Sequence, residues 1–248
     1  MYYYVYDEFV QDPKFERELS AIETRLTDLG IAGKIARLAL FRDPKELIRD
    51  EIRKGAKTIV AIGNDLTLRK VIDAVADRDV VVGMIPFGKD NNVIADLIGM
   101  PGGVESCDVL SARILQELDL GMVNSRRFLH TVVMQNVSKV EIECDRDFTI
   151  SPFRACEIVV RNLAMPEDDV RAADPTDGRL EVVVRVPQRS WFGAKKIATT
   201  VVPVKRAVIR SATNVAGAAD GEAFEGNEFI FESLPRQVRV ITGRARKF

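Results

Sequence analysis

A short polar run follows an apolar strand pattern and has the residue types that could handle phosphate. The run is GNDLT (63–67). After a parallel strand, the free N–H groups that start the next helix attract an anion, and Gly63 lets the backbone come close. The Asp65 carboxylate would repel a bare phosphate, so it suits magnesium binding or acceptance of a proton from a hydroxyl. A capped turn is the alternative, with Asn64 and Asp65 as turn residues and Thr67 as the cap.

A second loop of the same kind lies one strand later. The segment VVVGMIPFGKDNNVIADLIGMP (80–101) again reads as strand, glycine-containing loop and helix. Lys89 could contact phosphates, and Asn91 and Asn92 could hydrogen-bond a nucleotide or cap the helix. In a doubly wound sheet the carboxyl ends of adjacent strands share one crevice. The two loops would then line one ligand site, unless the second is a plain strand–helix turn.

The first half of the chain alternates between strand and helix patterns. Apolar runs and helical spacing predict strands and helices in turn. The predicted strands are 2–7, 34–40, 57–63 and 80–85, and the predicted helices are 12–29, 43–52, 66–77, 91–99 and 106–118. This alternation is typical of a doubly wound parallel sheet covered on both faces.

From about residue 124 the pattern changes to consecutive strand-like runs separated by turns. Runs such as FLHTVVMQ, KVEIEC, RLEVVVRV and QVRVITG show little helical periodicity. Such a succession predicts an all-β domain, most simply a β-sandwich. We therefore expect an α/β domain at 1–122 and a β-sandwich domain at 123–248.

Composition restricts the classes of function. The chain has 248 residues, 46% of them hydrophobic and 29% charged, and a net charge of −1, which does not favour nucleic-acid binding. No apolar run reaches the ~20 residues that a membrane span needs, and no signal-peptide pattern is seen, so a cytoplasmic location is expected. A single histidine excludes a multi-histidine metal site, and three cysteines without metal spacing indicate packing.

The two loops resemble those of the diacylglycerol kinase and sphingosine kinase superfamily of lipid kinases. GNDLT (63–67) is similar to the family's nucleotide-binding Gly-Gly-Asp-Gly-Thr loop after the third strand. PFGKDNN (86–92) is similar to its Pro-x-Gly-Thr-x-Asn-Asp segment after the next strand. LIGMP (97–101) is similar to the leucine–glycine–proline ending of the helix that follows.

Three downstream segments extend the resemblance over nearly the whole chain. Asp119, in LDLGMVNSRRFLH, matches an aspartate that the family associates with its magnesium–water network. Asp177, in DPTDGRLEVVVRV, matches an aspartate that helps to hold a structural metal in some members. Glu222, in AADGEAF, matches the candidate base for the lipid hydroxyl. Because Asp-Gly pairs are also common in hairpin turns, the alternative for Asp177 and for Asp220 is a turn.

The resemblance implies ATP-dependent phosphoryl transfer to a lipid hydroxyl, such as that of diacylglycerol, with ATP and Mg²⁺ as cofactors. It also implies that the domain at 1–122 binds the nucleotide, that the domain at 123–248 binds the acceptor, and that the last strands return to the first domain. It implies catalytic roles for Asp65 and Glu222 and metal binding by Asp65, Asp119 and Asp177. The nucleotide would be bound by Gly63, Asn64, Thr67, Gly88, Lys89, Asn91 and Asn92.

The loops also depart from the family pattern, which leaves two other functions open. Asn64 and Leu66 replace glycines, Lys89 replaces threonine, and Asn92 replaces aspartate. A side chain at 66 obstructs close approach of the backbone to phosphate, although Lys89 could supply positive charge instead. One alternative is a degenerate family member that binds nucleotide without catalysis. The other is kinship with NAD kinases, which share a similar first loop.

The expected partners are a nucleotide and a lipid or other small hydroxyl substrate, and not nucleic acid. The segment RSWFGAKK (189–196) joins the only tryptophan to Phe192 and two lysines, a combination suited to peripheral contact with an anionic membrane. A hairpin loop that packs on its own domain is the alternative. A homodimer is compatible with the sequence, which does not decide the oligomeric state.

Overall fold

The computed structural model describes residues 1–38, 43–88, 90–167, 170–188 and 196–248. It divides into two compact units. Unit 1 comprises Met1–Leu118 and Gln237–Lys247, and unit 2 comprises Asp119–Arg236 and Phe248. Lys89 and nearly all of the aromatic segment 189–196 lie outside the described residues.

Unit 1 alternates strands and helices, as the hydrophobic pattern predicts. The strands are β1 (Tyr2–Tyr6), β2 (Lys34–Arg37), β3 (Thr58–Gly63) and β4 (Val81–Pro86). The helices are α1 (Glu16–Asp28), α2 (Pro44–Arg53), α3 (Asp65–Val75), α4 (Val93–Leu97) and α5 (Glu105–Ala112). The start of α2 follows from its sequence, because Asp43 accepts a hydrogen bond from Lys45 N and Pro44 holds the first helical position.

The strands of unit 1 form a parallel sheet in the order β4–β3–β1–β2. Every residue of β3 and β4 is buried, which accounts for their continuous apolar sequences. The chain returns to this sheet near its C-terminus, where Arg239 and Val240 pair in parallel with Val81 and Val82. The carboxyl ends of β1, β3 and β4 therefore meet along one edge.

The helix predicted at 106–118 is correct only in its first part. Helix α5 ends at Ala112, where Arg113 takes a left-handed conformation with φ of 53°. The chain then continues as strand β5 (Leu115–Val123). The apolar residues of this stretch fit both a helical and an extended period, so the sequence pattern alone does not separate the two.

Unit 2 is built from antiparallel strands, which confirms the predicted change from α/β to all-β. Its strands are β6 (Arg126–Phe128), β7 (Thr131–Val137), β8 (Val140–Cys144), β9 (Phe148–Ile150), β10 (Cys156–Arg161), β11 (Leu180–Gln188), β12 (Lys196–Val204), β13 (Arg206–Ala219) and β14 (Glu222–Ile241), the last of which continues into unit 1.

Strand β13 lets unit 2 enclose a core. Its first part pairs with β8 and its last part with β7, and its register with β14 is irregular between Arg210 and Val215. Such an irregularity lets one strand serve two sheet layers. Buried side chains such as Phe128, Phe229 and Phe231 fill the space enclosed in this way.

We expect the three cysteines to be unreactive in the folded protein. All three are buried and free, and burial raises the pKa of Cys107 to about 11 and also raises the pKa values of Cys144 and Cys156. Because the thiolate is the reactive form, Ellman's reagent at pH 8 should label no cysteine before unfolding and all three in urea. Rapid labelling of any cysteine in the native protein would contradict this packing.

Candidate functional site

The junction between β3 and α3 is organised by the side chain of Asn64. Its Oδ1 atom accepts hydrogen bonds from Leu66 N at 3.1 Å and Thr67 N at 3.3 Å. In return, Thr67 Oγ1 accepts a bond from Asn64 N at 3.2 Å, which completes a capping box. The N-cap is therefore Asn64, and not Thr67 as the capped-turn alternative requires.

This cap occupies the amides that the sequence assigns to phosphate. Besides the Leu66 and Thr67 amides, the Asp65 amide donates to the carbonyl oxygen of Asn91 at 2.8 Å. Together with the Asn64 amide, which donates to Thr67 Oγ1, these amides make up the four donors that the start of a helix can offer to an anion. In this conformation a phosphate could use the Leu66 and Thr67 amides only by displacing the Asn64 side chain.

Gly63 is required by its surroundings. A methyl group on Gly63 would lie 2.2 Å from Thr67 Oγ1 and 3.1 Å from the Cβ atom of Asp7. The buried Thr67 hydroxyl donates to the Asp7 carboxylate at 2.7 Å, and Lys70 lies 3.5 Å from the same carboxylate. Because residue 63 has no side chain, the start of α3 can pack against the end of β1, where Thr67 bonds to Asp7.

Asp65 links the two loops. Its carboxylate accepts hydrogen bonds from Ile94 N at 3.0 Å and Ala95 N at 3.3 Å, so it caps helix α4 from another element. Together with the bond from Asp65 N to Asn91, these contacts bring the GNDLT and PFGKDNN segments against one another. The sequence placed these segments in one crevice but gave no indication that Asp65 itself joins them.

The remaining polar residues of the second loop stabilise its shape. Asn92 Nδ2 donates to the carbonyl oxygen of Gly88 at 2.9 Å, and Asn91 has a left-handed backbone with φ of 59°. The Oδ1 atom of Asn92 is buried and has no hydrogen-bond partner within the described chain. The role predicted for Lys89 concerns a residue outside the described part.

A cavity of about 650 Å³ opens at this edge of the sheet. Its lining comes from the segments that follow β1, β3 and β4 and from the start of α1, and comprises Glu8, Phe9, Gln11, Asp12, Lys14, Phe15, Asn64, Phe87, Gly88, Asp90 and Asn91. The volume lies within the range of roughly 300–1,000 Å³ that is usual for small-molecule sites.

Aromatic and acidic side chains set the chemistry of this cavity. Phe15 packs edge to face against both Phe9 and Phe87, with ring centroids 6.5 Å and 4.9 Å apart. Three described lining residues are carboxylates, and the one cation among them, Lys14, is paired with Asp12 at 2.8 Å. The cavity therefore suits a flat aromatic group, and an anionic one only together with a cation.

In unit 2, Asp119 is a fully buried structural residue. Its carboxylate accepts hydrogen bonds from Gly178 N at 2.6 Å and Arg236 N at 2.8 Å. Its own amide donates to Pro175 O at 2.7 Å. One side chain thus fixes the loop before β11 to the left-handed residue Arg236 within β14.

We expect replacement of Asp119 by alanine to lower the free energy of unfolding by about 2–4 kcal/mol, because two buried amides lose a charged acceptor. Replacement by asparagine, which keeps one acceptor oxygen, should cost less. Urea unfolding measures both, and Asp147→Ala, at an exposed position, is the control. Equal stability of the Asp119→Ala and Asp147→Ala variants would contradict this role.

Asp177 lies in a turn beside Asp119. Its carboxylate accepts a hydrogen bond from Arg179 N at 2.8 Å, as the turn alternative requires. Partial desolvation, and then the negative charges of Asp174 and Asp119, raise the pKa of Asp177. The three carboxylates thus share a neighbourhood of excess negative charge.

Glu222 is exposed at the start of β14 and lies 3.7 Å from Arg126. The adjacent turn residue Asp220 accepts hydrogen bonds from the amides of Leu129, His130 and Thr131, at 2.7, 3.0 and 3.0 Å. Desolvation raises the pKa of Asp220, although the three amides oppose the shift. Asp220 therefore fixes the hairpin that carries Glu222.

The described residues do not form a resident metal cage. No group of three or more His, Cys, Asp or Glu side chains among them is arranged to hold a metal ion, and Asp65 and Asp119 both use carboxylate oxygens to accept backbone amides. Magnesium needs few protein ligands when it is carried by phosphates. The acidic cavity lining fits an ion of that kind.

Residues that the sequence analysis did not assign to the site complete it. They are the aromatic trio Phe9, Phe15 and Phe87 and the loop acid Asp7. The sequence gave one indication of them, which is that two acids, Asp7 and Glu8, directly follow the first strand. The aromatic residues are spread over 79 positions of sequence, and only the parallel order of the strands brings them together.

Comparison with known proteins gives three kinds of similarity. Residues 4–123 match the family described as diacylglycerol kinase catalytic domain. A curated relative, the probable lipid kinase YegS-like of Pseudomonas aeruginosa (strain UCBPP-PA14), is 29% identical over 107 residues. That alignment covers 42% of this chain and 35% of the relative, so the match spans about a third of the relative's length.

Solved structures share the whole architecture. A diacylglycerol kinase from Bacillus anthracis str. Sterne superposes with a TM-score of 0.77 over 98% of this chain and 97% of its own, at 16% identity. A second structure from the same strain has a TM-score of 0.78, equal coverage and 15% identity. At these identities the likeness establishes the fold. No helix in the described ranges is long and apolar enough to cross a membrane.

Proposed function

Because residues 4–123 match the family described as diacylglycerol kinase catalytic domain, we propose that this chain is a member of that family, that it binds ATP at unit 1 and that it transfers the terminal phosphoryl group to a lipid hydroxyl. The observation that carries the proposal is the cavity at the carboxyl ends of β1, β3 and β4. It lies where parallel α/β sheets bind ligands, and the two segments that resemble the family's nucleotide loops contribute to it.

The cavity residues divide between the base and the phosphates. The adenine ring would stack against Phe9 and Phe15, and the phosphates would lie beside Asn64, Gly88 and Asn91. Magnesium carried by the nucleotide would neutralise the phosphate charge that the acidic lining opposes. ATP should therefore bind only weakly when EDTA is present.

The reaction needs positioned charge more than covalent chemistry from the protein. Asp65 would help to hold the magnesium-bearing phosphates, and Glu222 would orient or deprotonate the acceptor hydroxyl. Asp119 and Asp177 would stabilise the loops of unit 2, with any contribution to metal binding made through water. The acceptor is a lipid alcohol, of which diacylglycerol is the first to test.

The caps made by Asn64 and Asp65 favour a second candidate, which is nucleotide binding without transfer. Asn64 holds two of the amides that a triphosphate would use, and Asp65 holds α4. If these caps persist with ligand bound, the nucleotide is held by its base and its phosphates are not activated.

A thermal-shift titration followed by a transfer assay separates the two candidates. The protein is titrated with Mg-ATP, with ATP plus EDTA, and with Mg-NADH as a different nucleotide. Labelled ATP is then incubated with vesicles that contain diacylglycerol and other neutral lipids. Stabilisation by Mg-ATP with labelled lipid supports the kinase, and stabilisation without label supports the binding protein. Neither signal from a folded protein rejects both.

A pair of phenylalanine variants tests the location of the site. Phe9→Ala should weaken Mg-ATP binding about fivefold to tenfold, since stacking of a base on an aromatic ring contributes about 1–3 kcal/mol. Phe153→Ala, at an exposed position of unit 2 that does not line the cavity, is the matched control. Equal affinity in the two variants would place the nucleotide elsewhere.

A further inference from the structure

Unit 1 contains a second cavity, of about 530 Å³, which shares no lining residue with the first. It lies between the segment that joins α4 to α5, helix α5 itself and the C-terminal segment 242–247. Its volume is also typical of small-molecule sites. The kinase proposal does not use it, although the LIGMP segment (97–101) supplies Gly99, Met100 and Pro101 to its lining.

The C-terminal wall of this cavity is preformed. Gly243 N donates to Ile98 O and Lys247 N donates to Leu97 O, both at 2.9 Å. A methyl group on Gly243 would lie 1.8 Å from the carbonyl oxygen of Gly99, so the two backbones approach as closely as glycine allows. Lys247 also pairs with Asp96 on α4. These contacts hold the segment in place without a ligand.

The walls are mainly apolar. They are formed by Met100, Pro101, Val109, Ala112, Ile114 and Ala245. An apolar concave surface of this kind suits a hydrocarbon chain, because each buried methylene group stabilises the complex by about 0.8 kcal/mol before the costs of association are counted.

Two polar groups of the lining have no hydrogen-bond or ion-pair partner among the described residues. Thr242 is fully buried, and its hydroxyl oxygen has no hydrogen bond to the described chain. Buried hydroxyl groups are nearly always bonded, so this one indicates a missing acceptor or donor. Arg244 is exposed and has no ion pair or hydrogen bond in the same ranges. The other charged residues of the lining are paired, Asp96 with Lys247 and Asp108 with Arg25.

We propose that this cavity binds a single-chain anionic amphiphile. The alkyl chain would lie against the apolar walls, and an anionic head, either carboxylate or phosphate, would pair with Arg244 and bond to the Thr242 hydroxyl. The charge fits because Arg244 is the charged group of this lining that has no partner within the described part of the chain. The proposal does not depend on phosphoryl transfer, since no residue of the first cavity takes part.

Competitive displacement of a fluorescent fatty acid from the full chain tests the proposal. The probes are laurate and dodecyl phosphate, which distinguish the two head groups, and dodecanol, which has the same chain without charge. The two anions are used below their critical micelle concentrations, and dodecanol is used below its solubility limit. We expect saturable binding with one site per chain for at least one anion, and binding of dodecanol that is weaker by about fivefold or more.

Variants of the protein test binding of the anionic head group and of the alkyl chain separately. Arg244→Ala should weaken binding of the anion about fivefold and leave dodecanol unchanged, whereas Arg53→Ala, at a distant exposed arginine, should change neither. Ala112→Trp should fill the cavity and abolish binding of all three probes. Because Ala112 is exposed, the fold should tolerate this change, and urea unfolding checks that it does.

Several outcomes would overturn the proposal. They are the absence of saturable binding by either anion, an equal response of Arg244→Ala and Arg53→Ala, and unchanged binding in a folded Ala112→Trp variant. A dimer in solution that Ala112→Trp dissociates would assign the cavity to a second copy of the chain. Loss of ATP binding in Phe9→Ala does not affect this proposal, because Phe9 does not line the second cavity. The two proposals are therefore tested independently.

Discussion

Replacing Asp65 by asparagine is expected to reduce phosphoryl transfer at least 100-fold while lowering the melting temperature by only a few degrees. The carboxylate holds the N-terminus of α4 through Ile94 N and Ala95 N. Asparagine keeps one acceptor oxygen, so about 1 kcal/mol of stability should be lost. The negative charge is lost entirely, and removal of one group that stabilises a transition state commonly costs about 10²–10³ in rate.

Two other substitutions separate the loss of the helix cap from the loss of the negative charge. Asp65→Ala removes both acceptor oxygens and should destabilise the protein more than Asp65→Asn, with a similar loss of transfer. Asp28→Asn, at an exposed aspartate at the end of α1, controls for the loss of one negative charge. Transfer rates from labelled ATP and thermal melts are measured on the same samples. Full transfer by Asp65→Asn would show that Asp65 acts only as a helix cap.

The fold class could be predicted because the local signals and the tertiary structure agree. Strand β3 is buried on both faces and its sequence is continuously apolar, so pattern and environment coincide. The Asp43-Pro44 pair starts α2 by a mechanism contained within three residues. The antiparallel pairs of unit 2 likewise follow from successive strand patterns with turns between them.

The prediction was less successful where one sequence fits two structures. The stretch that begins at Ile114 has apolar residues at spacings that suit helix or strand, and the left-handed residue Arg113 decides between them. A non-glycine residue in that conformation is uncommon and carries no clear sequence signal. The predicted helix therefore ran six residues past the observed end of α5 at Ala112.

Side-chain roles at the candidate site were hidden for a different reason. The sequence shows that Asp65 can accept hydrogen bonds, but not that its donors are amides 29 and 30 residues away. Likewise, Asn64 was visible as a replacement for glycine, while its function as N-cap depends on the backbone angles at the junction. The type of residue limits the chemistry, and the tertiary structure selects which partner is used.

The altered first loop can be understood as a competition for the same amides. A helix N-terminus stabilises either a side-chain oxygen or a bound anion, because both accept bonds from the same N–H groups. With glycine at position 64 the Leu66 and Thr67 amides would be free to bind phosphate. In this protein the Asn64 side chain accepts their hydrogen bonds instead. A protein of this kind should be stable without nucleotide and should bind phosphate more weakly.

Asn64→Gly is therefore expected to tighten Mg-ATP binding about fivefold to tenfold. The phosphate no longer has to displace a cap that contributes about 1 kcal/mol, and that free energy corresponds to a change of this size in the dissociation constant. Stability should fall by only a few tenths of a kcal/mol, the usual cost of glycine at an N-cap. Isothermal titration with Mg-ATP measures the affinity, and urea unfolding measures the stability.

Two further substitutions at the same position identify the cause. Asn64→Ala also frees the Leu66 and Thr67 amides, so it should tighten binding as well, at a greater cost in stability because alanine is a poorer N-cap than glycine. Asn64→Asp keeps the cap and adds a negative charge beside the phosphates, so it should weaken binding. If glycine alone tightens binding, backbone freedom is the cause. If neither glycine nor alanine tightens binding, the first turn of α3 does not contact the phosphates. The nucleotide is then held by the aromatic trio alone.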